Sequence, residues 1–220
     1  MAVTDLHADG DYKLIIADLG TGSSNIKLKV FKGTSLMTET ALLEIPTGLI
    51  TFYNDHREPK FPAIGLASGP NIYVYKNMKP YFKFTLPNLE VNPLEVDLWI
   101  QSRNDGMEPK TLYSMLENVK NEIGYSNMSQ QSQKLLMIPP DNEIEINNIV
   151  KAHCGEPIKR QTVITCITTL CKNTNTPESV SCIVIGTENG CIYIVDSEAF
   201  TILDLVRIIK FKKKKLKDCW

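Results

Sequence analysis

The first 153 residues of this 220-residue chain contain no cysteine; all six lie beyond, at positions 154, 166, 171, 182, 191 and 219. That distribution excludes a disulfide scaffold stapling the whole fold. Several of the thiols fall in strand-like segments, where a buried free cysteine is the ordinary reading. A reducing, cytosolic environment is therefore expected. Nowhere do about 18 apolar residues follow one another, so no membrane span is expected. The opening "MAVTDLHADGDYK" has no basic region followed by an apolar stretch, so it is not expected to be a secretory leader. Charge of one sign is also missing. The formal net charge is −1, and bulk electrostatics select neither nucleic acid nor an acidic surface. No nucleic-acid partner is expected.

Apolar residues are plentiful, at 43% of the chain, enough to fill a core. The length suits one domain or an all-β fragment of a larger one. The apolar residues are arranged as a repeat: a short apolar strand, a glycine or polar turn, then a second alternating strand. The three copies are Lys13–Asp18 with Asn25–Phe31, Phe61–Gly69 with Asn71–Tyr75, and Ser181–Gly186 with Gly190–Val195. A sheet unit repeated along the chain is the signature of a β-propeller. Three units do not close a ring. The expected fold is mainly β, a partial propeller of about three blades, and a scaffold in preference to an enzyme.

Within the first unit "IKLKVF" alternates, with Ile26, Leu28 and Val30 on one face and Lys27 and Lys29 on the other, as in a half-buried strand. "LMTETALLEI" is its third strand, and "GLITFYND" begins the next unit. Ser68-Gly69-Pro70-Asn71 is a turn, because glycine tolerates positive φ and proline fixes its own. Thr187–Gly190 contains Asn-Gly, the strongest short hairpin signal. Between Asn92 and Asn148 the pattern changes. Pro93–Trp99 reads as a short helical turn and Glu108–Ile123 as a helix with an i, i+3/i+4 stripe. Gly124 is placed to stop it. Ser126–Gln133 reads as a flexible loop, and "KLLMIPPDNEIEINNIVKAH" is ambiguous. The expected organisation is 1–91 as two blades, 92–157 as a helical and loop insertion, 158–206 as the third blade, and 207–220 as a basic divergent tail. That tail reads as a solvated end; the alternative is a weak membrane or nucleic-acid patch.

Four groups of residues were candidates for chemistry. In "DLHADGDYKL" Asp5, His7, Asp9 and Asp11 alternate, with Gly10 at the turn, and the carboxylates Asp5, Asp9 and Asp11 could converge on calcium, for which His7 is a poor ligand. This resembles the calcium-type loop of integrin-like propeller repeats. Position twelve counted from Asp5 is Ile16, which excludes an EF-hand, and Lys13 stands near the place of the usual closing acid. A metal-free polar turn is the expectation, with no metal bound. The loop Asp18–Ser24 resembles the first phosphate loop of the actin and sugar-kinase superfamily, in which Gly20, Thr21 and Gly22 would let amides approach phosphate and Asp18 would organise a metal. A nucleotide-binding domain is thus the alternative reading, although a second phosphate loop is not evident. His153, Cys154, Cys166 and Cys171 match no closed zinc module. Tyr73, Tyr75, Phe82 and Phe84, interleaved with Lys76, Lys79 and Lys83, could stack on bases but read as packing under a solvated lysine face. No catalytic residue and no cofactor are expected.

Longer strings carry a family resemblance. Asp5–Leu14, "LKVFKG", "LASGPNIYVYKNMKPYFKF", "NPLEVDLW", "IKRQTVIT" and "GTENGCIYIVDSEAFTIL" closely resemble the N-terminal region of the Bardet–Biedl syndrome one family, over roughly residues 4–205. The resemblance implies a seven-bladed-type propeller with a helical insertion, Glu108–Ile123 being the insertion helix. It implies a non-enzymatic subunit of the BBSome, a coat-like complex that moves membrane proteins into and out of cilia. The implied partners are other BBSome subunits and the GTP-bound form of an Arf-like GTPase, with indirect association to membranes. The implied sites are the cilium, the basal body and centrosomal region, and the cytoplasm. The GTPase surface is implied to lie on the first blade, within residues 5–60, and on the last blade. Because the resemblance ends near Val206, the chain is expected to be a truncated form, marginally stable alone or leaning on a partner.

Overall fold

The structure is a computed structural model, and it describes residues 1–21, 25–104, 106–172 and 179–208. The chain divides into two compact units: residues 1–86 with 162–220, and residues 87–161.

The first unit holds three four-stranded antiparallel sheets, each a meander in chain order. Sheet one is β1 (Ala2–Thr4), β2 (Lys13–Asp18), β3 (Lys27–Lys32) and β4 (Ser35–Ala41). Sheet two is β5 (Gly48–Phe52), β6 (Ala63–Ser68), β7 (Asn71–Lys76) and β8 (Lys79–Thr85). Sheet three is β9 (Ile164–Cys171), β10 (Ser181–Thr187), β11 (Cys191–Val195) and β12 (Ile202–Arg207). The two middle strands of each sheet are the repeat seen in the sequence. Period-two alternation turns Ile15, Leu28 and Val30 inward, against Ile64, Leu66 and Tyr75. Ile50, Phe52, Ile72 and Val74 pack with Ile183, Ile185, Tyr193 and Val195. Sheet two therefore shares one core with sheet one and another with sheet three, and β5 approaches both β1 and β9.

Both turn expectations hold. Gly69, at φ 51°, lets Ser68 pair with Asn71. Gly190, at φ 77°, donates its N–H to Thr187 O at 3.0 Å. The outer strands β4, β8 and β12 are largely exposed. Most of the basic tail falls outside the described residues.

The second unit is helical: α1 (Pro93–Asn104), α2 (Pro109–Ile123), α3 (Gln130–Leu136) and α4 (Glu143–His153). Leu112, Leu116 and Val119 of α2 meet Trp99, Leu135, Ile146 and Val150 in its core. α2 matches the expected helix, and Gly124 ends it, donating to Lys120 O at 2.8 Å. Two expectations are corrected here. Pro93–Trp99 is the start of a helix of three turns, not a short turn. Ser126–Gln133 is not a flexible loop. It contains the end of a 3-10 turn (Tyr125–Asn127), then the cap and first turn of α3, with Ser129 and Ser132 fully buried. The polar side chains that suggest a loop are consumed by internal hydrogen bonds. Ser129 caps α3 through the Ser132 N–H, Ser132 Oγ accepts from Trp99 Nε1 at 2.9 Å, and Gln131 bonds Pro157 O and the Lys159 N–H.

Candidate functional surface on the first sheets

Residues 5–60 span the β1–β2 turn, the rest of sheet one, and β5 with the start of the loop after it. The β1–β2 turn is organised by carboxylates. Asp5 accepts the N–H groups of Asp9 at 3.1 Å and Gly10 at 2.8 Å, and Asp9 accepts that of Asp11 at 3.0 Å. Asp9 also receives the ammonium of Lys13, which holds its carboxyl well below the usual range. Asp5 lies 3.8 Å from the same ammonium. Asp11 turns away to Lys32, and that contact raises the lysine. All three calcium candidates thus face a lysine, Asp5 and Asp9 sharing Lys13 and Asp11 taking Lys32. Among the described residues no group of three or more His, Cys, Asp or Glu side chains could hold a metal ion.

On the face of sheet one opposite its core, charges form cross-strand pairs. Lys29 bonds Asp18 at 2.5 Å and Lys27 bonds Glu39 at 2.5 Å. Lys29 holds the Asp18 carboxyl below its usual value, helped by the Gly20 N–H at 3.0 Å. Asp18, the metal-organising residue of the nucleotide alternative, is therefore occupied within the sheet, and residues 22–24 of that loop lie outside the described residues. Farther along, the β4–β5 linker is tied down while its side chains project. Ser68 Oγ bonds Ile45 O at 2.7 Å and Thr47 N bonds Ala67 O at 2.7 Å. Leu43 and Ile45 remain 86% and 64% exposed, and large apolar side chains fixed in water are an interaction signal. Sequence reading missed them because "ALLEI" looks like strand core.

A polar cavity of about 670 Å³ opens where the inner strands meet, with Thr4, Asp5, Tyr12, Thr51, Tyr53 and Thr169 on its wall. Lys83 stands 5.2 Å from the Tyr73 ring and Phe82 stacks on Phe200 at 4.3 Å, so these aromatics are used in packing. Cys182 and Cys191 are buried as expected of strand thiols, whereas Cys166 and Cys171, on the edge strand β9, are exposed and Cys154 is half-buried; His153 contacts Glu156 at 3.2 Å.

The strings that carry the resemblance lie on the β1–β2 turn, β2, β3, β6–β8, α1 and β9–β12. The family model for "Ciliary BBSome complex subunit 1" matches residues 1–212. The chain belongs to the BBSome subunit 1 family. It is 48% identical over 203 residues to the human "BBSome complex member BBS1" and 46% identical to that of the mouse. These alignments take in 92% of this chain and 34% of the relatives, so the chain spans about a third of their length. Two crystal structures described as BBS1N in complex with ARL6DN, soaked with mercury and with lead, are similar with TM-scores of 0.60 and 0.61 at 26% identity. They take in 94% of this chain and 43% and 44% of those chains. Against the BBS1N likeness, the fold is a mixed β-sheet and helical one, and the described sheets of this BBSome subunit 1 family member do not close on themselves.

Proposed function

We propose that this chain is a non-enzymatic scaffold of the BBSome whose three sheets are consecutive blades of a seven-bladed-type propeller and whose first-blade surface receives an Arf-like GTPase in its GTP-loaded state. Residues 1–91 and 158–206 supply the blades, and 92–157 is the helical insertion. The carrying observation is the likeness over 94% of this chain to BBS1N, a protein solved in complex with ARL6DN. Three meanders sharing cores in chain order are what neighbouring blades require. The receiving surface lies within residues 5–60, which hold both the charged pairs on sheet one and the exposed apolar side chains of Leu43 and Ile45. Such a mixture of an apolar anchor and a polar rim is the anatomy of a protein interface. The working place of such a subunit is the cilium and basal body region, reached from the cytoplasm, with membrane contact made through the GTPase.

The test is calorimetric titration of the chain with the Arf-like GTPase loaded with a non-hydrolysable GTP analogue or with GDP. Binding selective for the GTP state, weakened at least tenfold in a Leu43→Asp, Ile45→Asp variant, is expected. Equal binding of both states, or none in a chain shown to be folded, would overturn the assignment.

A further inference from the structure

Three carboxylates within the seven residues from Asp5 to Asp11 repel one another unless a cation sits among them. The side chain of Lys13 has no exposed surface, yet it belongs to β2, two residues before the core residue Ile15 and on the same inward face. A buried ammonium persists only when it is paired and hydrogen-bonded. Its partners are Asp9 and Asp5, the carboxylates that accept the turn's own N–H groups. The turn is pinned a second time by Leu6, which is 1% exposed and packs into the core shared with Ile15. We propose that Lys13 is the built-in cation of the Asp5–Asp11 turn, its ammonium filling from within the chain the position round which such carboxylates gather a hard metal ion.

The pairing leaves a divalent ion too few free carboxylates. Asp5 and Asp9 face Lys13, and Asp11, the third carboxylate that a divalent ion would recruit, is taken by Lys32 instead. The consequence is functional as well as local. Asp5, Ala8, Gly10 and Tyr12 form part of the wall of the cavity of about 670 Å³. That wall is then in place whatever the calcium level, and the first sheet does not work as a calcium-gated module.

The experiment combines amide hydrogen exchange at Asp9, Gly10 and Asp11 with thermal melts in calcium chloride and in EDTA, on the whole chain. The native chain is expected to melt identically in both. Lys13→Met is expected to lose protection at the three amides at least tenfold, and Lys13→Arg to keep it. Lys13→Ala is expected to gain a calcium-dependent rise in melting temperature. Saturable calcium stabilisation of the native chain overturns the proposal. So does native-like protection in Lys13→Met, or a Lys13→Ala melt that calcium does not move. If the Lys13 variants do not fold, the native chain decides: identical melts in calcium chloride and in EDTA support the proposal, and saturable calcium stabilisation overturns it.

Discussion

At the scale of single residues, the least expected arrangement is the buried carboxylate of Glu95. It lies on the inward face of α1, fully buried, and accepts the Ser129 N–H at 2.9 Å as well as the Ser129 hydroxyl. No lysine, arginine or histidine pairs with it among the described residues. Its compensation comes from donors at the start of α3, where the helix dipole also favours negative charge. Ser129 in turn bonds Ser132, and Ser132 accepts from Trp99. Removing one partner of such a network strands the others in a low-dielectric interior. Glu95→Ala is therefore expected to destabilise the helical unit by ~3 kcal/mol, and Glu95→Gln by less, since its amide oxygen still accepts one bond. Urea melts followed at Trp99 fluorescence check this; a Glu95→Ala variant as stable as the native chain would sink the account. Nothing in the sequence around Glu95 announces this role, because the residue that satisfies it lies 34 positions away.

At the scale of elements, legibility followed periodicity. β2, β3 and β11 were readable because half-buried strands impose period two on their side chains, and β6, β7 and β10 because short, mostly buried apolar runs are bounded by turn residues. α2 was readable because its apolar stripe is regular. α1 was underestimated because its pattern is inverted: Glu95 and Ser102 face inward while Leu94 and Ile100 are 55% and 45% exposed. α3 was missed for the related reason that two of its three buried positions, Gln131 and Ser132, are polar, with Leu135 the third. β1 has three residues, too few to show alternation. The candidate surface was less legible still. The carboxylate turn could be located, but that Lys13 closes it depends on β2 facing inward there. The tight turns, by contrast, are dictated locally. Gly190 at φ 77° permits the β10–β11 hairpin, where a Cβ would be strained. Gly190→Ala is expected to cost about 1–2 kcal/mol, read as a lower melting temperature with an unchanged far-ultraviolet spectrum. A gain in stability would show that the turn does not need the left-handed conformation.

At the scale of the whole molecule, ion pairs between lysines and carboxylates set the pH range over which the sheets hold. Lys29 lowers Asp18, Lys13 lowers Asp9 and Lys76 lowers Asp55. A carboxyl depressed in the folded state adds stability above its unfolded value, about 3.9, and that stability is lost as pH falls through the lower folded value. The lysines show the opposite sign. Asp18 raises Lys29, Asp11 raises Lys32, and Glu198 with Asp196 raises Lys172. Their contribution is complete below about 10.4 and disappears as pH rises through the folded values. The pairs are exposed for the most part, so each is weak and screened by salt. What they produce together is a broad plateau, with acid and alkaline limbs outside about pH 5 to 10. Melting temperatures measured from pH 2 to 11 at low and high salt test this. The expected result is a flat centre, with the decline on the acid side shallower in high salt. A midpoint of lost stability between pH 6 and 7 would mean that groups other than these aspartates and lysines control the fold.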